Sequence, residues 1–315
     1  MKIQENISLK KYTTFKIGGE ARYFCVVETL EELKEAFLWA QSESLKTFVL
    51  GGGSNILFSD KGFDGLVIKM NNRNLDKIDE NEKAVVLKCG AGLILADLVK
   101  HCLENGYEGF EWAAGIPGTF GGAIRGNAGA FGPTIGDSVK SVELIKNNVE
   151  NFQLKIIDKK DCGFEYRNSF LKKNKDLILW SAEVELEKGN LEEIRDRFEK
   201  YIHKRRAGQP LLGIFPSAGS VFENPQVPQR VIDIFEEDRG VKSMGGRAPA
   251  GWLIDQCDLK GKKIGGAMVS DVQANFIVNT GEASFEDVMI LISLIKEKVR
   301  NKFGVQLKEE IEIVI

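Results

Sequence analysis

Val49-Leu-Gly-Gly-Gly-Ser-Asn55 runs a short apolar strand into five small residues, and Gly115-Ile-Pro-Gly-Thr-Phe-Gly-Gly-Ala-Ile-Arg-Gly-Asn-Ala-Gly-Ala-Phe-Gly132 does the same on a longer scale. Of the 33 glycines in the chain, 17 fall between Gly51 and Gly136. Such a density points to backbone that comes close to something, because residues without Cβ let neighbouring N–H groups converge on an oxyanion. A set of tight turns with no ligand is the other reading. The named nucleotide motifs are absent: Gly51-x-Gly53-x-x-Ile56 lacks the third glycine of G-x-G-x-x-G, and no G-x-x-x-x-G-K-[ST] occurs. Two blocks in one half of the chain favour a bound dinucleotide whose pyrophosphate lies against both.

Working outward, Arg22–Val27, Thr47–Leu50, Leu66–Met70 and Ala84–Cys89 read as strands. Thr29-Leu-Glu-Glu32 is a capping box that opens an amphipathic helix to about Ser42, and a second helix near Ile94–Glu104 stops at Gly106. The Gly115–Gly132 block has no hydrophobic period, so it is expected as ordered loop with at most a short helical turn. Beyond it come strands at Val139–Ile145, Phe152–Ile157 and Leu177–Leu186, then a helix capped at Asn190 and running to about Arg206. The last third carries a helix near Pro249–Gln256, a strand at Asn275–Asn279, a helix capped at Ser284 and a terminal strand Val305–Ile315. Helices are too few for a doubly wound sheet, which makes the fold class α+β.

Composition removes several function classes. The 315 residues carry 43 Lys+Arg against 46 Asp+Glu, a net charge of −3, so no global basic field exists for nucleic acid or a membrane surface. No apolar run approaches the length of a spanning helix, and Met1–Lys11 lacks the apolar centre of a signal peptide, so a soluble cytoplasmic protein is expected. Cys25, Cys89, Cys102, Cys162 and Cys257 are odd in number and never form C-x-x-C, which fits buried thiols rather than disulfides or zinc. With only His101 and His203, neither a His-based metal site nor a Ser/His/Asp triad is expected, and no metal is expected at all.

Six blocks in colinear order then carry a resemblance: Tyr12-Thr-Thr-Phe-Lys-Ile-Gly-Gly-Glu-Ala21, Val49–Asn55, Gly115–Gly132, Tyr166-Arg-Asn-Ser-Phe170, Ala218-Gly-Ser-Val-Phe-Glu-Asn-Pro225 and Ala250-Gly-Trp-Leu-Ile254. Together they resemble the UDP-N-acetylenolpyruvoylglucosamine reductases, flavoenzymes of bacterial peptidoglycan precursor synthesis and so of cell wall biogenesis, cell shape and division. The resemblance implies a vanillyl-alcohol-oxidase-like FAD-binding domain of two subdomains, 1–80 and 81–203, and a C-terminal α+β substrate-binding domain, 204–315. It implies FAD as cofactor, NADPH as co-substrate, UDP-N-acetylglucosamine enolpyruvate as the substrate reduced to UDP-N-acetylmuramate, and a monomer. The cofactor residues it implies are Gly51, Gly52, Gly53, Ser54 and Asn55, then Gly115, Ile116, Pro117, Gly118, Gly121, Gly122 and Asn127.

For the reaction, the resemblance implies Arg167 on the substrate carboxylate, Ser220 as the acid that protonates the enolic carbon, and Glu310 at the protonation end or orienting the substrate. A permanently charged, forked guanidinium suits a carboxylate that gains enolate character. Glu310 is chosen over its neighbour Glu309 by spacing from Phe303-Gly304-Val305; a solvated, charged edge strand is the plain alternative. Asn224 is read either as a substrate-positioning amide or as a turn residue before Pro225. The 53 residues from Arg167 to Ser220 match the shorter subtype without a substrate-covering lid, while Arg125-Gly126 and Gln273 depart from the family pattern. Lys204-Arg-Arg206 fits either contact with a diphosphate or a solvated helix end. Two alternatives stand beside the reductase: a redox-silent nucleotide-sugar binding protein, and another flavin dehydrogenase on the same fold.

Overall fold

Thr29 accepts the amide of Glu32 while the Glu32 carboxylate accepts the amide of Thr29, so the helix Leu30–Ser42 starts where the spacing predicts. It buries Leu33, Ala36, Phe37 and Ala40 in one core with Cys25, Val27, Leu66 and Ile68 of a four-stranded sheet. That sheet runs in the order Gln4–Ser8, Glu20–Val27, Phe63–Met70, Lys46–Leu50, the last pair parallel. The computed structural model describes residues 1–146 and 152–315. By contacts the chain divides into two units: 1–7 with 21–52 and 64–207, and 8–20 with 53–63 and 208–315.

The first unit also holds a six-stranded sheet. Leu177–Lys188 lies at its centre, antiparallel to Val139–Lys146 on one side and Ala84–Gly90 on the other, with Leu154–Asp158 and Leu75–Glu80 at the edges. The helix Leu95–Asn105 closes at Gly106, whose φ of 69° is the left-handed conformation a helix stop uses. Inside the second glycine block the short helix Phe120–Arg125 starts at Thr119, whose side chain accepts the amide of Gly122. The expected strands and helices of this region are present within a few residues of their predicted ends.

In the second unit, Ser217–Ser220, Phe276–Asn279, Ala267–Val269 and Lys263–Ile264 form an antiparallel sheet. A capping box between Ser284 and Asp287 opens the helix Phe285–Phe303, which buries Val288, Leu291, Ile292, Ile295 and Val299. The terminal strand is shorter than expected, only Glu312–Val314, because the chain before it serves a different partner. Glu309 bridges to Phe222, and Glu312–Val314 then pairs in parallel with Ile56–Phe58. That pairing places 53–63 in the same unit as 208–315, where the expected partition has 1–80 as one subdomain. The helix Gln229–Arg239 and the edge strand Leu75–Glu80 lie outside the sequence expectation.

The five cysteines are free, four of them buried. Burial pushes the Cys25 and Cys89 thiols up to about 12, which keeps them protonated and inert.

Asn72, buried, joins the turn after Phe63–Met70 to the six-stranded sheet. Its Nδ2 donates to the Trp180 carbonyl (2.6 Å) and its Oδ1 accepts the Gly92 amide (2.9 Å). Each of these groups also has a backbone partner: the Ala91 amide donates to the Trp180 carbonyl (2.8 Å) and the Gly92 amide to the Asn72 carbonyl (3.1 Å), so alanine removes two hydrogen bonds without orphaning either group. Asn72→Ala is expected to lower stability by about 1–3 kcal/mol, read as a shift of the urea midpoint at constant slope; an unchanged midpoint would show that the backbone bonds alone hold the turn.

Candidate functional site

The strand Lys46–Leu50 delivers Gly51 and Gly52 to the second glycine block. A Cβ on Gly52 would lie 2.4 Å from the Cα of Gly118, and one on Gly51 would lie 2.6 Å from Thr119 Oγ1. The two main chains are therefore in contact where only glycine fits. Three of the five carbonyls along the first loop, those of Gly51, Gly53 and Asn55, are occupied by the protein itself. Lys69 donates to the Gly51 carbonyl, the Thr14 amide donates to that of Gly53 (3.0 Å), and the Glu312 amide to that of Asn55 (2.9 Å). A loop with carbonyls turned to the protein, and three successive glycines to leave its amides unobstructed, is suited to a diphosphate. On this test Gly51–Gly53 fits the diphosphate of FAD, while in the second block the Phe120 and Gly121 amides are taken by the Leu93 and Ala91 carbonyls.

Burial pushes the Lys69 ammonium down to about 8, with Arg73 as the lesser cause. Sequence reasoning missed Lys69, since one lysine at the end of a strand carries no signal of its own.

Arg167 sits in the tight turn Glu165–Asn168, where each of the two end residues donates its amide to the other's carbonyl. Its φ of 54° is a left-handed conformation that a bulky residue adopts only under constraint. The constraints are visible. Arg167 Nη2 donates to the Gly129 carbonyl (3.0 Å), Lys172 Nζ donates to the Arg167 carbonyl (2.8 Å), and Ser169 Oγ to that of Arg125 (2.7 Å). Asn127, expected on the cofactor, uses its side chain here instead: Nδ2 donates to the Glu165 carbonyl (2.8 Å) and Oδ1 accepts the Gly136 amide (3.1 Å). The departure noted at Arg125 is part of this support, through its carbonyl.

In the second unit, Ser220 ends the strand Ser217–Ser220, and a register shift between these two residues marks a bulge around Gly219, whose φ is 77°. Such a bulge re-aims the side chain that follows it. The Glu310 amide donates to the Val221 carbonyl (2.8 Å), so Ser220 and Glu310 lie on adjacent backbone segments. Asn55 Nδ2 donates to the Glu310 carbonyl (3.1 Å), fixing the same segment from the glycine loop. Glu309 is engaged elsewhere, in an ion pair with Lys296 at 2.7 Å. Asn224 accepts the Ala250 amide on Oδ1 (2.9 Å) and the Arg247 guanidinium on its carbonyl (2.8 Å), and so starts the helix Ala250–Asp255. The first unit thus offers one guanidinium on a strained turn, and the second a hydroxyl on a segment adjacent to one that carries a carboxylate.

Comparison with known proteins gives a consistent picture. Residues 21–151 match the family model described as an FAD binding domain, and residues 209–314 match that of the UDP-N-acetylenolpyruvoylglucosamine reductase C-terminal domain. UDP-N-acetylenolpyruvoylglucosamine reductases of Caldanaerobacter subterraneus and Carboxydothermus hydrogenoformans are each 39% identical to it, over 99% of this chain and 94% of theirs. The crystal structure of UDP-N-acetylenolpyruvylglucosamine reductase from Thermus caldophilus superposes with a TM-score of 0.78 at 31% identity, with full coverage of both chains.

Two outcomes follow from the loop geometry. Gly52→Ala is expected to cost FAD retention, read as a fall in the ratio of flavin to protein absorbance, because the main chains at 52 and 118 must separate; full retention would show that the contact yields freely. Lys69 supplies a pH dependence. Its folded value is near 8 and its unfolded value about 10.4, so between these the unfolded chain binds the extra proton and stability rises with pH. Lys69→Met is expected to flatten that rise in thermal melts of the apoprotein taken across this window, and an unaltered slope would contradict the assignment.

Proposed function

This chain belongs to the UDP-N-acetylenolpyruvoylglucosamine reductase family, and from that premise we propose that Arg167, Ser220 and Glu310 carry its reaction. The protein is an FAD-dependent oxidoreductase of peptidoglycan synthesis that uses NADPH to reduce UDP-N-acetylglucosamine enolpyruvate. FAD, when bound, supplies the two-electron chemistry that connects NADPH to the enolpyruvyl double bond. The protein's own tasks are to hold the acid, stabilise charge and deliver a proton.

Arg167 holds the substrate carboxylate as it takes on enolate character, with a charge that persists at every working pH and a fork that matches two oxygens. Ser220 Oγ–H donates the proton to the enolic carbon. A free hydroxyl is a weak acid, so its position and neighbours must make it competent. Glu310 serves at that protonation end or orients the substrate, and the engagement of Glu309 by Lys296 favours Glu310 over its neighbour. Gly51–Asn55 and the block from Gly115 receive FAD, with Ile116, Pro117, Gly118, Gly121 and Gly122 contributing through their main chain. Asn127 and Asn224 act through the fold: their side-chain contacts hold the Arg167 turn and the start of the helix Ala250–Asp255.

The observation that carries this reading is the hydrogen bond from the Glu310 amide to the Val221 carbonyl, which puts the two C-terminal residues of the family pattern side by side. The interval from Arg167 to Ser220 holds the strand Leu177–Lys188 and the helix Leu191–Gly208, consistent with the subtype that has no lid insertion. No helix among the described residues is long and apolar enough to cross a membrane, and we place the enzyme in the cytoplasm as a monomer.

The test separates the half-reactions of the purified yellow protein. Ser220→Ala is expected to leave flavin reduction by NADPH intact and to slow reoxidation by the enolpyruvyl substrate by roughly 10²–10⁴-fold. Equal loss in both half-reactions would remove Ser220 from the proton-donor role.

A further inference from the structure

We propose that the last turns of the helix Leu191–Gly208 form a clasp on both ends of the Gly115–Gly132 block, and that Arg205 and Phe131 set how firmly FAD is retained. The inference rests on the reading that this block receives the cofactor. At the entry to the block, Arg205 Nε donates to the Ala114 carbonyl (2.8 Å) and Nη2 to the Trp112 carbonyl (3.3 Å). Its stem lies so close to Gly115 that a Cβ there would come within 3.1 Å of Arg205 Cδ. At the exit, Phe131 stacks on Tyr201 with centroids 5.3 Å apart and planes at 24°. The Arg205 guanidinium lies 5.5 Å and the Lys204 ammonium 5.7 Å from the same ring. One helix turn therefore holds the segment where it begins and where it ends.

The same helix is anchored two turns earlier. Arg197 Nε donates to Glu111 Oε1 (3.0 Å), and its Nη2 pairs with Glu108 and Glu111 at 3.0 and 2.9 Å. Glu111 is itself buried and accepts the Gly109 amide. The segment leading into the block is thus fixed before Arg205 takes hold of its end, and the clasp closes on a rigid base.

The physical reason for a clasp lies in the glycines. A glycine-rich segment has more conformational freedom to lose than any other sequence, and a ligand that orders it must bear that loss. Tying both ends to one rigid element removes most of the freedom before binding, which is preorganisation. Phe131 adopts φ of 61° although it is not glycine and although the residue is 46% exposed, so its conformation is maintained by the stack and the cations and not by burial. The basic run Lys204-Arg-Arg206 is accordingly neither a bare solvated helix end nor, at Arg205, a ligand for a phosphate: its middle guanidinium is directed to main-chain carbonyls and a ring.

The test titrates FAD into apoprotein and follows flavin fluorescence, with thermal melts of the same apoproteins as the measure of fold. Arg205→Ala is expected to weaken FAD binding at least roughly tenfold, and Phe131→Ala to weaken it as well, both with apoprotein melting close to that of the unaltered chain. The exposed neighbour serves as control: Arg206→Ala leaves the affinity unchanged. Because loosening either end already frees the segment, the double variant is expected to weaken binding by less than the product of the two single effects. Unchanged affinity in both single variants overturns the clasp, as does a loss of affinity that only tracks a loss of apoprotein stability. Should Arg205→Ala fail to fold, Phe131→Ala decides alone, since its ring is at the surface. If the unaltered apoprotein does not bind FAD, the reading of the glycine block fails first and the clasp with it; binding by the unaltered chain with no change in the variants removes the clasp alone.

Discussion

The flavin-binding part of this protein depends on a main-chain contact. Gly52 and Gly118 approach until a single methyl group on one would fall 2.4 Å from the Cα of the other, far inside the ~3.5–4.0 Å at which carbon atoms attract. Gly51 stands in the same relation to Thr119 Oγ1, and that hydroxyl also starts the helix Phe120–Arg125. The contact brings the end of a strand of the four-stranded sheet to a loop that is fixed on the six-stranded one, through the Gly121 amide on the Ala91 carbonyl and the Phe120 amide on that of Leu93. Glycine alone permits it, and glycine alone would leave it loose. Fixation comes from residues outside both glycine runs: Lys69 on one side, Arg205 on the other.

Much of the fold was legible because local chemistry and tertiary packing agree. Thr29 and Ser284 signal helix starts by a pattern three residues long, and both helices begin there. Gly106 ends its helix for the equally local reason that it accepts a left-handed φ. The misses are elements whose reason is not local. Leu75–Glu80 is an edge strand with nearly every residue exposed, so it has no apolar alternation to display and is held by the register of its neighbour Ala84–Gly90. The terminal segment reads as one long strand because its apolar residues alternate throughout. It serves two partners in succession, Phe222 and then Ile56–Phe58, and nothing in its own composition marks the change.

The site was legible to the level of segments and less so to the level of side chains. The glycine blocks, the Arg167 turn and the Ser220 strand declare themselves by motif. What each asparagine does is decided by three-dimensional neighbours: Asn55 reaches the Glu310 carbonyl, Asn127 the Glu165 carbonyl, Asn224 the Ala250 amide. In sequence all three look like groups offered to a ligand, because an amide that braces a turn and one that binds a substrate are the same residue in the same kind of loop. Lys69 and Arg205 are the converse case. Lys69 has no pattern around it, and the basic run Lys204-Arg-Arg206 does not say which of its members matters; each acquires its meaning from a main-chain carbonyl in or at the edge of the glycine segments.

Three non-glycine residues here have left-handed φ: Asn127 at 42°, Phe131 at 61° and Arg167 at 54°. Glycine would relieve each of them, in a region where glycine is already abundant, and such conformations cost of order 1–3 kcal/mol apiece for side chains that do not favour them. The side chains are kept because each performs a task that glycine would forfeit. Asn127 braces the arginine turn from the cofactor block, Arg167 presents the guanidinium while resting on the Gly129 carbonyl of that same block, and Phe131 binds the block's end to the helix. The strain therefore marks a single connected structure, in which the glycine-rich block and the turn that carries Arg167 cannot move independently. Under the roles proposed above for the block and for Arg167, this coupling would align the acid with the cofactor before either has bound, which matters for a hydride transfer whose rate falls steeply when donor and acceptor are misplaced by an ångström.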